Sequence, residues 1–175
     1  MNDASRCSIR IDEAVRHHSD PERRTPVDGY NHHFEPLPSE LRYDTAFLDR
    51  VHAYRPGWEI PKIAAENYAT GYGFISDYFA EIFRFLRRRN FQTHVTVHVV
   101  FNDWTGRNQD AVKKTAAGLL KLIYPHRTAE DLEADELIFC VDLAVEMRRR
   151  VTDQLRVIAP REFTLPAFKF HLNGR

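Results

Sequence analysis

The sequence has 175 residues, 43% of them hydrophobic and 29% charged, which is the composition of a soluble globular domain. Its 25 Lys and Arg residues match its 25 Asp and Glu residues, so no net charge draws the whole chain to nucleic acid or to an anionic membrane. Two cysteines are too few for a disulfide framework or a zinc site of their own. The polar start and the lack of a long apolar run indicate neither a signal peptide nor a membrane span, so a cytoplasmic location is expected.

Residues 1–42 are expected to form an irregular, partly disordered arm, because prolines, charges and turn-forming residues dominate them. Residues 43–175 are expected to form one mainly helical region. The short helix that begins this region should end before Pro56, because proline interrupts a helix. Together with Trp58 and Pro61, Pro56 then predicts a rigid hydrophobic turn.

The strongest helical pattern lies in residues 73–90, where apolar residues recur at helical spacing between an acidic start and a basic end. The predicted buried stripe consists of Phe74, Ile75, Tyr78, Phe79, Ile82, Phe83 and Leu86. Residues 91–101 are β-branched and partly alternating, which favours an extended segment. A second extended segment is expected at residues 162–171.

Two longer helices are expected between these extended segments. Asn108 is placed to cap the first of them, which should end at Pro125. Thr128 and Asp131 resemble a capping box for the second, which should reach Ile158 with a break near residues 134–136.

Arg50 stands shortly before the rigid turn, and two interpretations of it are open. The first is a surface ion pair with Asp49 or Glu59. The second is an outward-facing guanidinium that contacts a phosphate on a neighbouring subunit. A planar guanidinium suits the charge that develops on a phosphoryl group better than an ammonium does.

Further basic residues cluster on the predicted helices. Lys113, Lys114 and Lys121 are either solvated or act as a phosphate sensor on a helical lid. The motif GxxxxGK(S/T) does not occur in the sequence, so these lysines do not belong to a phosphate-binding loop. The arginine clusters at residues 84–89 and 148–150 could contact nucleic-acid phosphates, but each follows acidic residues on its own helix, which favours solvated surface or a subunit contact.

Other chemistry finds little support in the sequence. His94 and His98 have a spacing that can bind a metal, but no third ligand stands at a suitable distance along the chain, so no metal site is predicted. The last serine is Ser76, and no serine lies in a Gly-x-Ser-x-Gly context, which argues against a serine nucleophile.

Four segments together resemble the later part of the ATPase module in Lon-related AAA+ proteins, and most closely the Lon-like (BrxL-type) proteins of BREX phage-resistance systems. The most specific stretch is DRVHAYRPGWEIPK. The segments are residues 34–62, 72–87, 107–125 and 144–155. The resemblance implies that residues 43–175 form a mainly α, AAA+ lid-like helical bundle with a few short extended segments.

In this family the nucleotide binds between an α/β core and a helical lid, at subunit junctions in a ring. The resemblance therefore implies that Arg50 is an arginine finger offered to the nucleotide of a neighbour. It implies that Lys114 is the sensor-2 residue of the lid, with Lys113 or Arg107 as alternatives. The implied ligands are ATP and Mg²⁺, and the implied partners are full-length or complementary AAA+ subunits in a ring. DNA is a further candidate partner, and a membrane is not.

The family's phosphate-binding loop and Mg²⁺-binding acidic strand are expected before residue 34, and its protease part, with a Ser-Lys pair, after residue 175. The first functional hypothesis is accordingly a truncated or split Lon-like ATPase subunit of a phage-defence system. Such a chain would be inactive alone and able at most to supply Arg50 and the lid in trans. The alternative hypothesis is a non-enzymatic helical adaptor that binds protein or nucleic acid through its arginine clusters.

Overall fold

The computed structural model describes residues 32–61, 63–164 and 167–173, without the side chain of Trp58. The mainly helical architecture expected from the sequence is confirmed. In chain order the elements are α1 (Ser39–Arg42), α2 (Thr45–Leu48), α3 (Ser76–Arg87), α4 (Gln92–His98), β1 (Val99–Phe101), α5 (Gly106–Ile123), α6 (Ala134–Ile158) and β2 (Phe170–Leu172). Short 3₁₀ turns occur at Gly57–Glu59 and Ala65–Asn67.

The main hydrophobic core lies between α5 and α6 and is closed by α4 and a small sheet. The two long helices face each other through small and branched side chains at helical spacing, which lets them pack closely along their length. The core residues on them are Val112, Ala116, Ala117, Leu120, Leu137, Cys140, Val141, Ala144 and Val145. β1 and β2 pair antiparallel, with Val99 opposite Leu172 and Phe101 opposite Phe170.

Residues 91–101 were expected to be extended. That prediction is wrong for Gln92–His98, which form α4, and is confirmed only for the short strand β1. The Asn90 side chain accepts hydrogen bonds from the backbone N–H groups of Gln92 and Thr93, at 3.1 and 3.3 Å, and so starts a helix. Val95 is then fully buried in the main core. Tertiary packing therefore overrides the β propensity of this stretch. In the second expected segment, residues 162–171, the strand begins only at Phe170.

The predicted cap of α5 is also wrong. Thr105, not Asn108, caps the helix, and its side-chain oxygen accepts a hydrogen bond from the Asn108 N–H at 3.3 Å. Asn108 lies within the first turn and is buried. The long second helix begins at Ala134, inside the region where a break was expected, so Thr128 and Asp131 precede the helix rather than cap it.

A second hydrophobic cluster joins the N-terminal part of the described chain to the C-terminal half of α6. Its buried members are Phe34, Leu48, Val151 and Leu155. The expected boundary at residue 42 stays a prediction, because residues 1–31 lie outside the described part of the chain. Phe34, however, belongs to the predicted arm and is packed in this cluster. Pro56 of the predicted rigid turn is buried, whereas the predicted role of Trp58 lies outside the described side chains.

Helix α3 differs from expectation, because its apolar stripe is exposed. Leu86 is buried and Ile82 is half-buried, but Phe79 and Phe83 are 43% and 49% exposed. The aromatic residues contact one another instead, and Phe79 stacks on Phe83 with 6.2 Å between ring centroids. The periodicity therefore predicted the helix and its apolar face, but not the cover of that face.

Replacing Phe83 by glutamine should change the free energy of unfolding by less than about 1 kcal/mol, because half of the side chain already contacts water. Replacing Leu86 by alanine on the same helix should cost about 2–5 kcal/mol, because it leaves a cavity in the core. Urea denaturation of the two variants measures both values. An equal loss for Phe83→Gln would mean that the aromatic face is covered in solution.

Candidate functional site

Arg148 organises the segment that carries Arg50. It lies on α6 with none of its surface exposed, and its guanidinium donates to acceptors on two other parts of the chain. Nε donates to Asn108 Oδ1 at 2.7 Å, and Nη1 donates to the backbone carbonyls of Asp49 and Val51 at 3.0 and 2.6 Å. Nη2 donates to the Asp49 carboxylate. Arg148 therefore holds the backbone on both sides of Arg50.

The Asp49 carboxylate is shared by two arginines. Besides Arg148 it binds Arg107, whose Nη1 lies 2.6 Å from Asp49 Oδ2. Arg107 stands in the first turn of α5 with 54% of its side chain exposed, against 11% for Asp49. Burial lowers the pKa of Arg148, and the hydrogen bond that Arg148 donates to Asp49 opposes that effect. Asp49 thus connects α2, α5 and α6 through one charge.

Arg150 makes a second buried ion pair with the rigid turn. Its Nη1 lies 2.8 Å from Glu59 Oε2, and its Nε lies 3.3 Å from Glu146 Oε1. Burial alone would lower the pKa of Arg150, but the hydrogen bonds and charges of Glu59 and Glu146 outweigh it, and the pKa is raised. Arg150 therefore fastens the turn at Gly57–Glu59 to α6.

These two buried ion pairs test the interpretation of Arg50 as a member of a surface ion pair. Both carboxylates that the sequence offered to Arg50, those of Asp49 and Glu59, are bound by other arginines. Arg50 is exposed, and its Nη1 donates to the backbone carbonyl of Ala46 in the preceding turn. Among the residues that the structure describes, no carboxylate lies within ion-pair distance of Arg50. The expected surface ion pair of Arg50 with Asp49 or Glu59 is therefore wrong.

The candidate lid residues on α5 occupy different environments. Lys113 is half-buried, with Nζ 5.8 Å above the ring of Phe101. Lys114 is exposed. Burial lowers the pKa of His52, and the charge of Lys114 lowers it further. Lys114 is consequently close enough to act electrostatically on a residue two positions after Arg50.

Two surface depressions border these residues. One, of about 420 Å³, is lined by Lys114 and Lys121 together with the arginines at the end of α3. The other, of about 440 Å³, is lined by Asp49 and Arg107 together with residues near the start of α5. The basic residues at the end of α3 are Arg87, Arg88 and Arg89.

The two arginine clusters noted in the sequence have different roles. Arg148 and Arg150 are buried and ion-paired, so the expectation of solvated surface is wrong for them, and they are not available to a nucleic acid. In the other cluster Arg84 and Arg88 are exposed. Arg89 donates to the backbone carbonyls of Pro125 and Arg127, at 2.7 and 2.8 Å, and so ties the end of α3 to the loop before α6.

Arg148, Asn108 and Asp49 were missed as functional residues, although a signal for Arg148 exists in the sequence. Buried positions on α6 recur at Val141, Ala144, Val145, Val151, Thr152 and Leu155. Residue 148 falls on the same face at helical spacing, so an arginine there has to be paired inside the protein. Nothing in the sequence indicates that its partner stands 99 residues earlier.

Metal and membrane chemistry find no support in the described parts of the chain. His94 and His98 stack with 4.1 Å between ring centroids on α4. Within residues 32–61, 63–164 and 167–173, no group of three or more His, Cys, Asp or Glu side chains could hold a metal ion. No helix in these ranges is long and apolar enough to cross a lipid bilayer.

Comparison with known proteins defines the family of this chain. Residues 17–169 match the ATPase domain of BrxL-like Lon-like proteases. The chain belongs to this BrxL-like ATPase-domain family, which confirms the resemblance to Lon-related AAA+ proteins.

Two curated relatives show the same relationship. The chain is 41% identical over 134 residues to the Lon-like protease BrxL of Bacillus cereus (strain H3081.97). It is 40% identical over 134 residues to the Lon-like protease BrxL of Escherichia coli O9:H4 (strain HS). Each alignment covers 76% of this chain and 19% of the relative, so the chain spans only that share of the curated relatives it matches.

Proposed function

We propose that this chain is the lid-like part of a Lon-like AAA+ ATPase of a BREX-type phage-defence system, and that it supplies Arg50 in trans to ATP bound by a neighbouring subunit. The observation that carries the proposal is the state of Arg50. Its guanidinium is exposed and has no carboxylate partner in the described part of the chain, while buried ion pairs hold the backbone beside it. Membership of the BrxL-like ATPase family supports the same role.

The chemistry of phosphoryl transfer explains why such an arginine is useful. Negative charge spreads over the oxygens of the transferred group in the transition state, and a positioned guanidinium stabilises that charge. An arginine already paired with a carboxylate would have to break that pair first. Arg107 is paired with Asp49 in this way, and Arg50 is not.

Lys114 is proposed as the sensor-2 residue on α5. Of the three candidates, Arg107 binds Asp49 and Lys113 lies over the Phe101 ring, whereas Lys114 is exposed. An ammonium without a fixed partner can close over a nucleotide phosphate at the smallest cost. Lys113 and Arg107 remain the alternatives for this contact.

The residues present do not form a complete site for ATP and Mg²⁺. The sequence contains no GxxxxGK(S/T) loop to surround the phosphates with backbone N–H groups, and the described residues hold no carboxylate group suited to a metal ion. In the proposed assembly ATP and Mg²⁺ are held by the phosphate-binding half of a full-length or complementary AAA+ subunit. This chain contributes only cationic contacts from outside that half.

The isolated 175-residue chain should therefore show no Mg²⁺-dependent ATP binding. Exposed cations alone attract ATP weakly, and that attraction should fade as salt screens it. Isothermal titration with ATP, with and without Mg²⁺, measures this directly. Micromolar binding that requires Mg²⁺ would contradict the proposed division of the site.

The proposal as a whole is tested by adding the chain to a Walker-motif half of a Lon-like relative and measuring ATP turnover. Turnover that rises on addition of the chain, and that depends on Arg50, supports it. A complex whose turnover is indifferent to Arg50 would refute the finger role.

A second candidate function is a non-enzymatic adaptor that binds nucleic acid or protein. The exposed arginines at the end of α3, which border the basic depression with Lys114 and Lys121, favour it. Gel-shift titration with duplex DNA at rising salt distinguishes the two candidates. An adaptor of this type should lose affinity steeply with salt, and replacing Arg87 and Arg88 should reduce the slope, whereas replacing Arg50 should not.

A further inference from the structure

We infer that Arg148 is a positioning residue for Arg50: it fixes the backbone carbonyls on either side of Arg50 and thereby sets the direction in which that side chain leaves the protein. This inference rests on the proposed function of Arg50. It assigns a role in positioning Arg50 to a residue on α6 that is far from Arg50 in sequence.

The contacts of Arg148 are centred on Arg50. One nitrogen, Nη1, donates to the carbonyl oxygens of Asp49 and Val51, the residues directly before and after Arg50. With both flanking carbonyls held from inside the protein, the backbone dihedral angles around Arg50 have little freedom. The side chain of Arg50 is then directed to the opposite, solvent-facing side, where it is exposed.

Two further acceptors hold the Arg148 guanidinium in place. Asn108 on α5 accepts from Arg148 Nε at 2.7 Å, and the Asp49 carboxylate accepts from Nη2. These two bonds fix the plane of the guanidinium, so that Nη1 can point only at the two carbonyls. An ammonium at the same place has no fixed plane and cannot reach all of these acceptors together. Lysine at position 148 should therefore keep the charge and lose the positioning.

Arg150 provides a matched control. It is a buried arginine of the same triplet, 9% exposed, and it also binds a carboxylate, Glu59. None of its hydrogen bonds goes to the backbone next to Arg50 among the described contacts. Arg150→Lys should thus also weaken a buried ion pair of α6, without moving Arg50.

The experiment measures ATP turnover of the chain mixed with a Walker-motif half, for Arg148→Lys, Arg150→Lys, Arg50→Ala and the double variant Arg148→Lys with Arg50→Ala. Misplacement of a catalytic group by about 1 Å can lower turnover by about 10²-fold. We expect a loss of that order in kcat for Arg148→Lys, with KM for ATP unchanged, and a near-normal kcat for Arg150→Lys. In the Arg50→Ala background, Arg148→Lys should cause no further loss, because the group that it positions is already gone.

The outcomes separate the inference from the proposed function. If Arg50→Ala lowers kcat but Arg148→Lys does not, or if their effects simply multiply, the positioning role is wrong and the finger role stands. If Arg50→Ala has no effect although the complex forms, the proposed function fails and the inference fails with it.

Amide hydrogen exchange of the chain alone tests the positioning itself without any partner. The N–H groups of Arg50 and Val51 donate to carbonyls in α2 at 3.0 Å each. In Arg148→Lys these two amides should exchange faster, relative to the α5–α6 core, than they do in Arg150→Lys. Equal exchange in the two variants would overturn the inference.

Discussion

Replacing Arg50 by alanine should lower ATP turnover of the reconstituted assembly by about 10³–10⁵-fold, the range found for arginine fingers in phosphoryl-transfer enzymes. The loss should fall on kcat, because the contact stabilises charge that exists only in the transition state. Assembly and nucleotide affinity should stay nearly intact. Arg50 is exposed, and within the described residues its side chain bonds only to the backbone of the preceding turn, so the free energy of unfolding should change by less than about 1 kcal/mol.

Two further variants test whether the loss comes from the guanidinium geometry and whether it is specific to the transition state. Arg50→Lys should rescue poorly, because a point charge does not reproduce the planar fork of a guanidinium. Lys114→Ala should mainly raise KM, because a lid contact exists in the ground state as well as in the transition state. Steady-state turnover against ATP concentration, with complex formation checked by sedimentation, distinguishes these outcomes. A large stability loss for Arg50→Ala would show instead that this arginine serves the fold.

The largest effect on stability should come from Arg148. Replacing it by methionine removes the guanidinium that satisfies Asn108, the Asp49 carboxylate and two backbone carbonyls in a buried site. Loss of one member of a buried charged pair typically costs about 3–5 kcal/mol, because the remaining groups stay buried and unpaired. Since domains of this size are stable by only about 5–15 kcal/mol, the variant should be close to unfolding.

Arg149 is the control within the same triplet. Its side chain is 41% exposed, and its partner Glu146 is 4.0 Å away on the same helix. Arg149→Met should therefore cost less than about 1 kcal/mol. Urea denaturation, followed by circular dichroism, compares the two midpoints and slopes. Similar losses for Arg148→Met and Arg149→Met would mean that the buried clamp adds little stability beyond that of a surface pair.

Much of the helical framework was predictable, because long amphipathic patterns report their own structure. The two longer helices expected from the sequence are present as α5 and α6, and their buried residues include Val112 and Leu120 on α5 and Val141 and Leu155 on α6. The segment now forming α4 was not predictable. Its β-branched residues favour a strand locally, and only the cap from Asn90 and the burial of Val95 against α5 make it a helix.

The candidate site was predictable to a smaller extent. Arg50 and Lys114 could be named from the resemblance to Lon-related proteins, and the structure finds both exposed. The choice of partner for each carboxylate could not be read from the sequence. Asp49 and Glu59 stand near Arg50 along the chain, yet they bind Arg148 and Arg150 on a helix about a hundred residues later. Ion pairing follows distance in space, which a one-dimensional pattern does not contain.

The separation between Asp49 and Arg148 has a consequence for how the molecule is made. The two residues are 99 positions apart, so the loop between them has to close before the clamp can form. During synthesis from the N-terminus, Arg50 leaves the ribosome long before the second half of α6 exists. Until then Phe34 and Leu48 also lack Val151 and Leu155, on which they pack. A nascent or prematurely terminated chain therefore carries Arg50 without the contacts that fix its backbone, and the proposed finger role of Arg50 requires that α6 has been completed.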